Sequence, residues 1–207
     1  MQTHENTLFT PTEAAVLTQL SVKAVNNAID RKTVPTVDGH RAGYATRLLD
    51  LRALMSLALE RRLADRLVPD ARREVFDAVA AAPRNRVALE GGFLTIDLRE
   101  PRRELASSLR TLRRARDAVI SDPDIMGGDP VFRGTRVPVH LIATQLEQGQ
   151  SQTALLHDYP RLTANMVRLA PIYAAAYPQR GRRRSQPWQD HPPIRSTRRK
   201  LVPIGME

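Results

Sequence analysis

The sequence predicts a mainly α protein with small β elements. A winged helix-turn-helix-like region comes first, a small β plus three-helix, helix-turn-helix-like unit lies near the C-terminus, and a disordered basic tail ends the chain. Three observations lead there. Apolar residues recur at spacings of three and four behind Ser or Thr caps. Short alternating runs flanked by Gly and Asp interrupt those helices, with no long β-branched stretch to build a large sheet. The last thirty residues hold five prolines, seven arginines and little to bury.

In chain order, Thr12 is expected to cap a first helix carrying Glu13 in its first turn and Ala15, Val16 and Leu20 on its apolar stripe. Ser21 caps a second, with Val22, Val25 and Ile29 facing inward. Asp38-Gly39 reads as a hairpin turn, so that a wing follows the second helix. A leucine-dense helix is expected over Leu48–Leu67, and Pro69 opens another whose apolar side is Val75, Phe76 and Val79. These elements are expected to make up a winged helix-turn-helix-like region over residues 1–82, the arrangement of a DNA-binding module. Residues 83–117 read as two strands around Gly91-Gly92 and a basic helix, with Leu105, Leu109 and Leu112 on one side and Arg102, Arg103, Arg110, Arg113 and Arg114 over the rest.

Residues 118–178 form the next unit: strands at Val119-Ile120 and Val131-Phe132, then three helices. The first spans His140–Gln148 before Gly149, the second is capped by Ser151, and the third is capped by Thr163 and interrupted or kinked at Pro171. Residues 179–207 are the tail.

The charge is uneven. Net charge is +10, and the segment from Pro178 carries eight basic and two acidic residues, leaving +4 to the first 177. Such a chain is drawn to nucleic acid or to an acidic protein surface. The absence of cysteine excludes disulfides and thiolate metal sites. With no secretory signal and no apolar run near 18 residues, a soluble cytoplasmic protein is expected, with no membrane partner.

Enzymatic readings of Asp124–Gly149 fail on spacing. A calcium loop starting at Asp122 would place Met126 and Arg133 where oxygen ligands belong. No Gly-Lys-Ser/Thr opens a helix, no Gly-x-Ser-x-Gly exists, and the five histidines show no i,i+3 or i,i+4 pair. No enzyme, catalytic residue, metal site or cofactor is therefore expected, although a hydrolase with scattered acids stays open as a third class. Gly127, Gly128 and Gly134 then serve turns, and Asp129 is expected to bind nearby amides. Arg133 and Arg136 are expected to pair with Asp122, Asp124 or Asp129.

Those residues also carry a resemblance. The Asp122-Pro123 pair, Gly127-Gly128-Asp129-Pro130, Arg133–Val139, Gly149-Gln150-Ser151, Asp158–Thr163 and Tyr173-Ala174-Ala175 resemble, over about sixty residues, the domain of unknown function 433. Met126 and Pro171 depart from its pattern. The whole layout, with its winged segment and Arg-rich tail, resembles VapB-type antitoxins that carry this domain. The resemblance implies a small helix-turn-helix-like fold, homodimerisation, operator DNA binding for autoregulation, and a PIN-like ribonuclease toxin as partner in a toxin–antitoxin hetero-oligomer.

Each job has candidate residues. Ser21, Lys23, Asn26, Asn27, Arg31, Lys32, His40 and Arg41 are the DNA-binding candidates, since Asn pairs bidentately with adenine and cations reach phosphates. Arg180, Arg182, Arg183, Arg184, Trp188, Arg195, Arg198 and Arg199 are the toxin-binding candidates, able to enter a carboxylate-rich metal pocket. A transcription regulator without a toxin, its tail on DNA, is the alternative.

Overall fold

The first buried side chains are set by a short motif, Thr10-Pro11-Thr12-Glu13. In the computed structural model, which describes residues 7–41, 44–81 and 85–179, Thr10 caps helix α1 (Pro11–Thr18) through a reciprocal capping box with Glu13. Thr12 is therefore not the cap. Pro11 takes the first helical position, where its missing N–H costs nothing, and the Thr12 hydroxyl donates instead to the Ala176 carbonyl, 2.8 Å away. Three residues link α1 to α2 (Val22–Asp30), with Gln19 left-handed at φ 57°. Ser21 caps α2 as expected. Val25 and Ile29 are buried, but Val22 is exposed: it lies in the first turn, beyond the edge of the packed face.

Strands β1 (Val37–Arg41) and β2 (Tyr44–Leu48) pair antiparallel, with Arg41 opposite Tyr44. Asp38-Gly39 thus sits inside a strand and is not the turn. The glycine is needed for space: a Cβ there would lie 2.5 Å from Leu48 Cδ1. The expected helix from Leu48 starts late for a similar reason. Leu48 ends β2, Leu49 bridges to Phe9, and Asp50 caps α3 (Leu51–Leu63). Helix α4 (Pro69–Ala81), the hairpin β3 (Arg86–Leu89) and β4 (Leu94–Asp97), and the long helix α5 (Arg99–Asp117) complete the first core. That core runs from Phe9 to Leu112 and also takes in Ala176.

The second core is smaller. Two-residue strands β5 (Val119–Ile120) and β6 (Val131–Phe132) pair antiparallel, and helices α6 (Val139–Glu147), α7 (Gln152–Asp158) and α8 (Ala164–Ala176) close over Phe132, Ile142, Leu155 and Val167. Turn chemistry holds it. Gly149 (φ 90°) ends α6 in a Schellman arrangement, with its N–H on the Leu146 carbonyl and that of Gln150 on Gln145. Ser151 and Thr163 cap α7 and α8.

Pro171 does not break α8. Burial of Val167, Leu169, Ala170 and Ala176 outweighs the roughly 3 kcal/mol that an interior proline costs. Two further expectations fail in the Gly-rich loop. The Arg133 guanidinium binds the Asp117 and Val119 carbonyls (3.1 and 3.4 Å), not a carboxylate, and neither it nor Arg136 forms an ion pair with Asp122, Asp124 or Asp129. It is Asp122, not Asp129, that receives an amide, from Asp124 at 3.0 Å. Arg133 is occupied instead by two backbone carbonyls, one at the end of α5 and one in β5.

Helix α8 serves both cores. Its first half packs with Phe132 and Ile142, while Ala176, Ile172 and Tyr177 pack against the first core. The Tyr177 hydroxyl donates to Glu13 Oε1 at 2.7 Å, and His140 Nε2 meets the Tyr177 carbonyl at 2.8 Å. The result is a mainly helical protein with three small antiparallel sheets and eight α-helices among the described residues.

Candidate nucleic-acid interface

On α2 the 3.6-residue period separates two faces. Val25 and Ile29 point into the core, and Lys23, Asn27 and Asp30, at i, i+4 and i+7, form an exposed outer stripe. Asn26 is beside that stripe but half-buried, so Asn27 is the better placed of the two amides for an incoming base edge. Ser21 Oγ accepts the Ala24 amide at 3.1 Å. Its own O–H stays available to donate at the positive end of the helix dipole, where a phosphate is favoured. Arg31 and Lys32 leave the C-terminal end, both exposed, and Lys32 takes a left-handed φ of 54° that turns the chain toward β1.

The hairpin is tied to this helix by a residue the sequence reading did not single out. Arg47 on β2 donates to Asp30 Oδ1 at 2.7 Å, with both side chains about half exposed. Arg47 also stands opposite Asp38 in the β1–β2 register. Its only sequence signal was a cation in the expected wing, which does not reveal a partner seventeen residues away. His40 is exposed on β1, opposite Ala45. The backbone of Arg41 pairs with Tyr44, and its side chain lies outside the described residues. The structure thus gathers Ser21, Lys23, Asn26, Asn27, Arg31 and Lys32 on one element and its ends, and bonds the strand pair bearing His40 to that element's last residue.

The tail candidates, Arg180, Arg182, Arg183, Arg184, Trp188, Arg195, Arg198 and Arg199, lie outside the described residues. Among those described, no group of three or more His, Asp or Glu is placed to hold a metal ion, and no helix is long and apolar enough to cross a membrane. Two cavities among the described residues are walled by both charged and apolar side chains, one of them by Phe9, Glu13, Leu112, Arg113, Arg116 and Tyr177. The other, of about 410 Å³, lies among Leu59, Arg61, Arg62, Arg66, Ile96 and Asp97. There Arg62 bonds Glu104 and Glu100, chiefly Glu104, which raises its pKa. Asp97 is lowered to about 2, first by its side-chain bond to Arg99 and then by the Arg99 amide. These are structural pairs: each charge already has its opposite in contact.

Residues 119–174, the stretch that builds the second core with the strands, turns and caps given above, match the family described as a protein of unknown function, DUF433. The chain belongs to the same family as the uncharacterized protein y4eO of Sinorhizobium fredii (strain NBRC 101917 / NGR234), to which it is 38% identical over 189 residues, covering 83% of this chain and 82% of that protein. The crystal structure of Rv2018 from Mycobacterium tuberculosis aligns over 79% of this chain and 96% of that one, at 18% identity and a TM-score of 0.30, too low for the likeness to bear on the fold.

Proposed function

We propose that this protein is an antitoxin: it binds operator DNA through α2 and the β1–β2 hairpin, acting as a winged helix-turn-helix, and inhibits a PIN-like ribonuclease with its basic tail. The observation that carries the DNA half is the outer face of α2. Lys23 and Asn27 stand exposed on a short helix, with Ser21 and Arg31 exposed at its two ends, opposite the buried Val25 and Ile29, and Asp30–Arg47 holds the hairpin beside it. In such a site the amides read base edges in the major groove while Lys23, Arg31, Lys32, His40 and Arg41 meet flanking phosphates. Binding as a homodimer, two copies would address half-sites about one helical turn apart.

The toxin half rests on the resemblance to VapB-type antitoxins and on the tail's composition. A PIN-like nuclease concentrates carboxylates around its metal, and a guanidinium from Arg180, Arg182–Arg184, Arg195, Arg198 or Arg199 would pair with them bidentately, with Trp188 in an apolar groove. A regulator with no toxin is the second reading, since the α2 face supports it equally.

One set of variants separates them. Asn26→Ala with Asn27→Ala should relax operator choice, because only base contacts are lost. A uniform loss over all sequences would show instead that these amides only support the backbone contacts. Removing residues 179–207 should abolish binding to a PIN-like nuclease partner and leave operator choice intact. If nuclease binding survives undiminished, the tail is not the inhibitor; if only DNA affinity falls, the regulator reading wins.

A further inference from the structure

Helix α5 carries an outward ridge that the α2 site does not use. Pro101, Leu105, Leu112 and Ala115 are its buried face. At 100° per residue, Arg103, Ser107, Arg110 and Arg114 fall on the opposite side, and all four are exposed. Along the axis Arg103 and Arg110 are about 11 Å apart, and Arg114 follows about 6 Å further on. Glu104 lies off the ridge and is bonded to Arg62, and Arg99 is bonded to Asp97. Two carboxylates flank the ridge at its ends: Glu100, three residues before Arg103 and bonded to Arg62, and Asp117, three residues after Arg114.

Helix stability does not account for this arrangement. Cations gain from the helix dipole only in the last turn, whereas Arg103 lies in the first half and Arg110 in the middle. Arg110 and Arg114, like charges at i,i+4, repel one another. Nor does the ridge resemble a protein-binding face. Such a face has an apolar centre, and none of the large exposed apolar side chains, from Val22 to Leu141, is on α5.

We propose that the α5 ridge is a second, sequence-independent contact for the phosphate backbone of duplex DNA. A straight row of three guanidiniums and a hydroxyl, free of apolar groups, is complementary to a linear polyanion; of the three, Arg114 also donates to Asn165 Oδ1 at 3.1 Å. It rests on the reading that the chain binds DNA, and it gives the ridge a different duty from α2: affinity without choice of sequence.

The test uses the full-length chain on a scrambled duplex, titrated between about 50 and 200 mM salt. Arg103→Gln with Arg110→Gln and Arg114→Gln should weaken binding alike on scrambled and operator DNA, and flatten the slope of log affinity against log salt by about 2 to 3. The matching triple Lys variant should keep the slope, which separates lost charge from lost fold. An unchanged slope in a Gln variant that stays folded overturns the ridge and leaves the α2 site standing. So does a variant that loses only an acidic protein partner. If the unmodified chain binds no duplex at any salt, both proposals fall together.

Discussion

The two cores hold themselves together by different means. The first buries twenty-one side chains drawn from six helices, the β3–β4 hairpin and the segments between them, with leucine dominant. The DUF433 core buries nine. A domain with so few buried groups relies on each of them and on the turns that aim them. The large core can lose a methylene and re-pack; the small one has little left to re-pack with. Where chain is short, stability shifts from apolar area to backbone geometry.

The sharpest way to break this contrast is Phe132→Ala. Phe132 is fully buried at the centre of the small core, and its loss should cost about 3–5 kcal/mol. Leu54→Ala in the large core belongs to a class costing about 2–5 kcal/mol. The discriminating measurement is hydrogen exchange. Phe132→Ala should deprotect α6 and α7 first while α3 stays protected. Equal deprotection of α3 would mean that the cores unfold as one unit.

Next is the link between them. Tyr177→Phe removes the hydroxyl that donates to buried Glu13 and should cost about 1–2 kcal/mol, below the usual value for a bond to a charged group because Tyr177 is only partly buried. The same contact makes a pH prediction. Burial, and secondly the Glu13 bond, raises the Tyr177 pKa above its ordinary value of 10.0. A raised pKa favours the protonated form, so the stabilisation is complete below pH 10.0 and fades as pH climbs toward the folded-state value. Chemical denaturation of the parent chain at rising alkaline pH should show that loss, and Tyr177→Phe should be flatter. Parallel curves would mean that Tyr177 does not couple the cores.

This link also marks where sequence reasoning stopped. Ser21, Ser151 and Thr163 were legible as caps because a cap is a local device of four residues. Thr10 was missed although Thr10-Pro11-x-Glu13 is equally local; the choice of Thr12 overlooked what Pro11 prefers. Asp38-Gly39 misled because its turn propensity is real, while the reason for Gly39 is Leu48 across the hairpin. The bonds of Thr12 and Tyr177 across 164 residues have no local signature, and neither has Arg47 beside Asp30. Of the candidate site, the α2 face was legible from periodicity alone. What fixes the hairpin to it was not.

A smaller effect tests the backbone half of the contrast. Gly149→Ala, at φ 90° with open space around it, introduces strain without a clash and should cost about 1 kcal/mol, read as a drop in melting temperature. Gly39→Ala in the other region has the opposite cause, since there the new methyl meets Leu48. A stabilising Gly149→Ala would show that the Schellman turn does not hold α6 in place.

The smallest expected change in stability is at Asp30–Arg47. An exposed pair of this kind contributes about 0.2–1 kcal/mol, less in high salt, so Arg47→Ala should barely move the melting temperature. On the proposed DNA-binding reading, its effect on operator affinity should be larger than its effect on folding, because the bond ties the hairpin to α2. Affinity for the operator should fall, and Asp30→Asn, which removes the acid's charge and weakens the bond but keeps Arg47's charge, separates the causes. If Asp30→Asn binds operator more tightly, losing an acid near phosphates outweighs hairpin placement and Arg47 acts as a cation. If both variants weaken binding alike, Arg47 is a positioning residue, and the first region is built to hold a surface still while the second is built to hold itself.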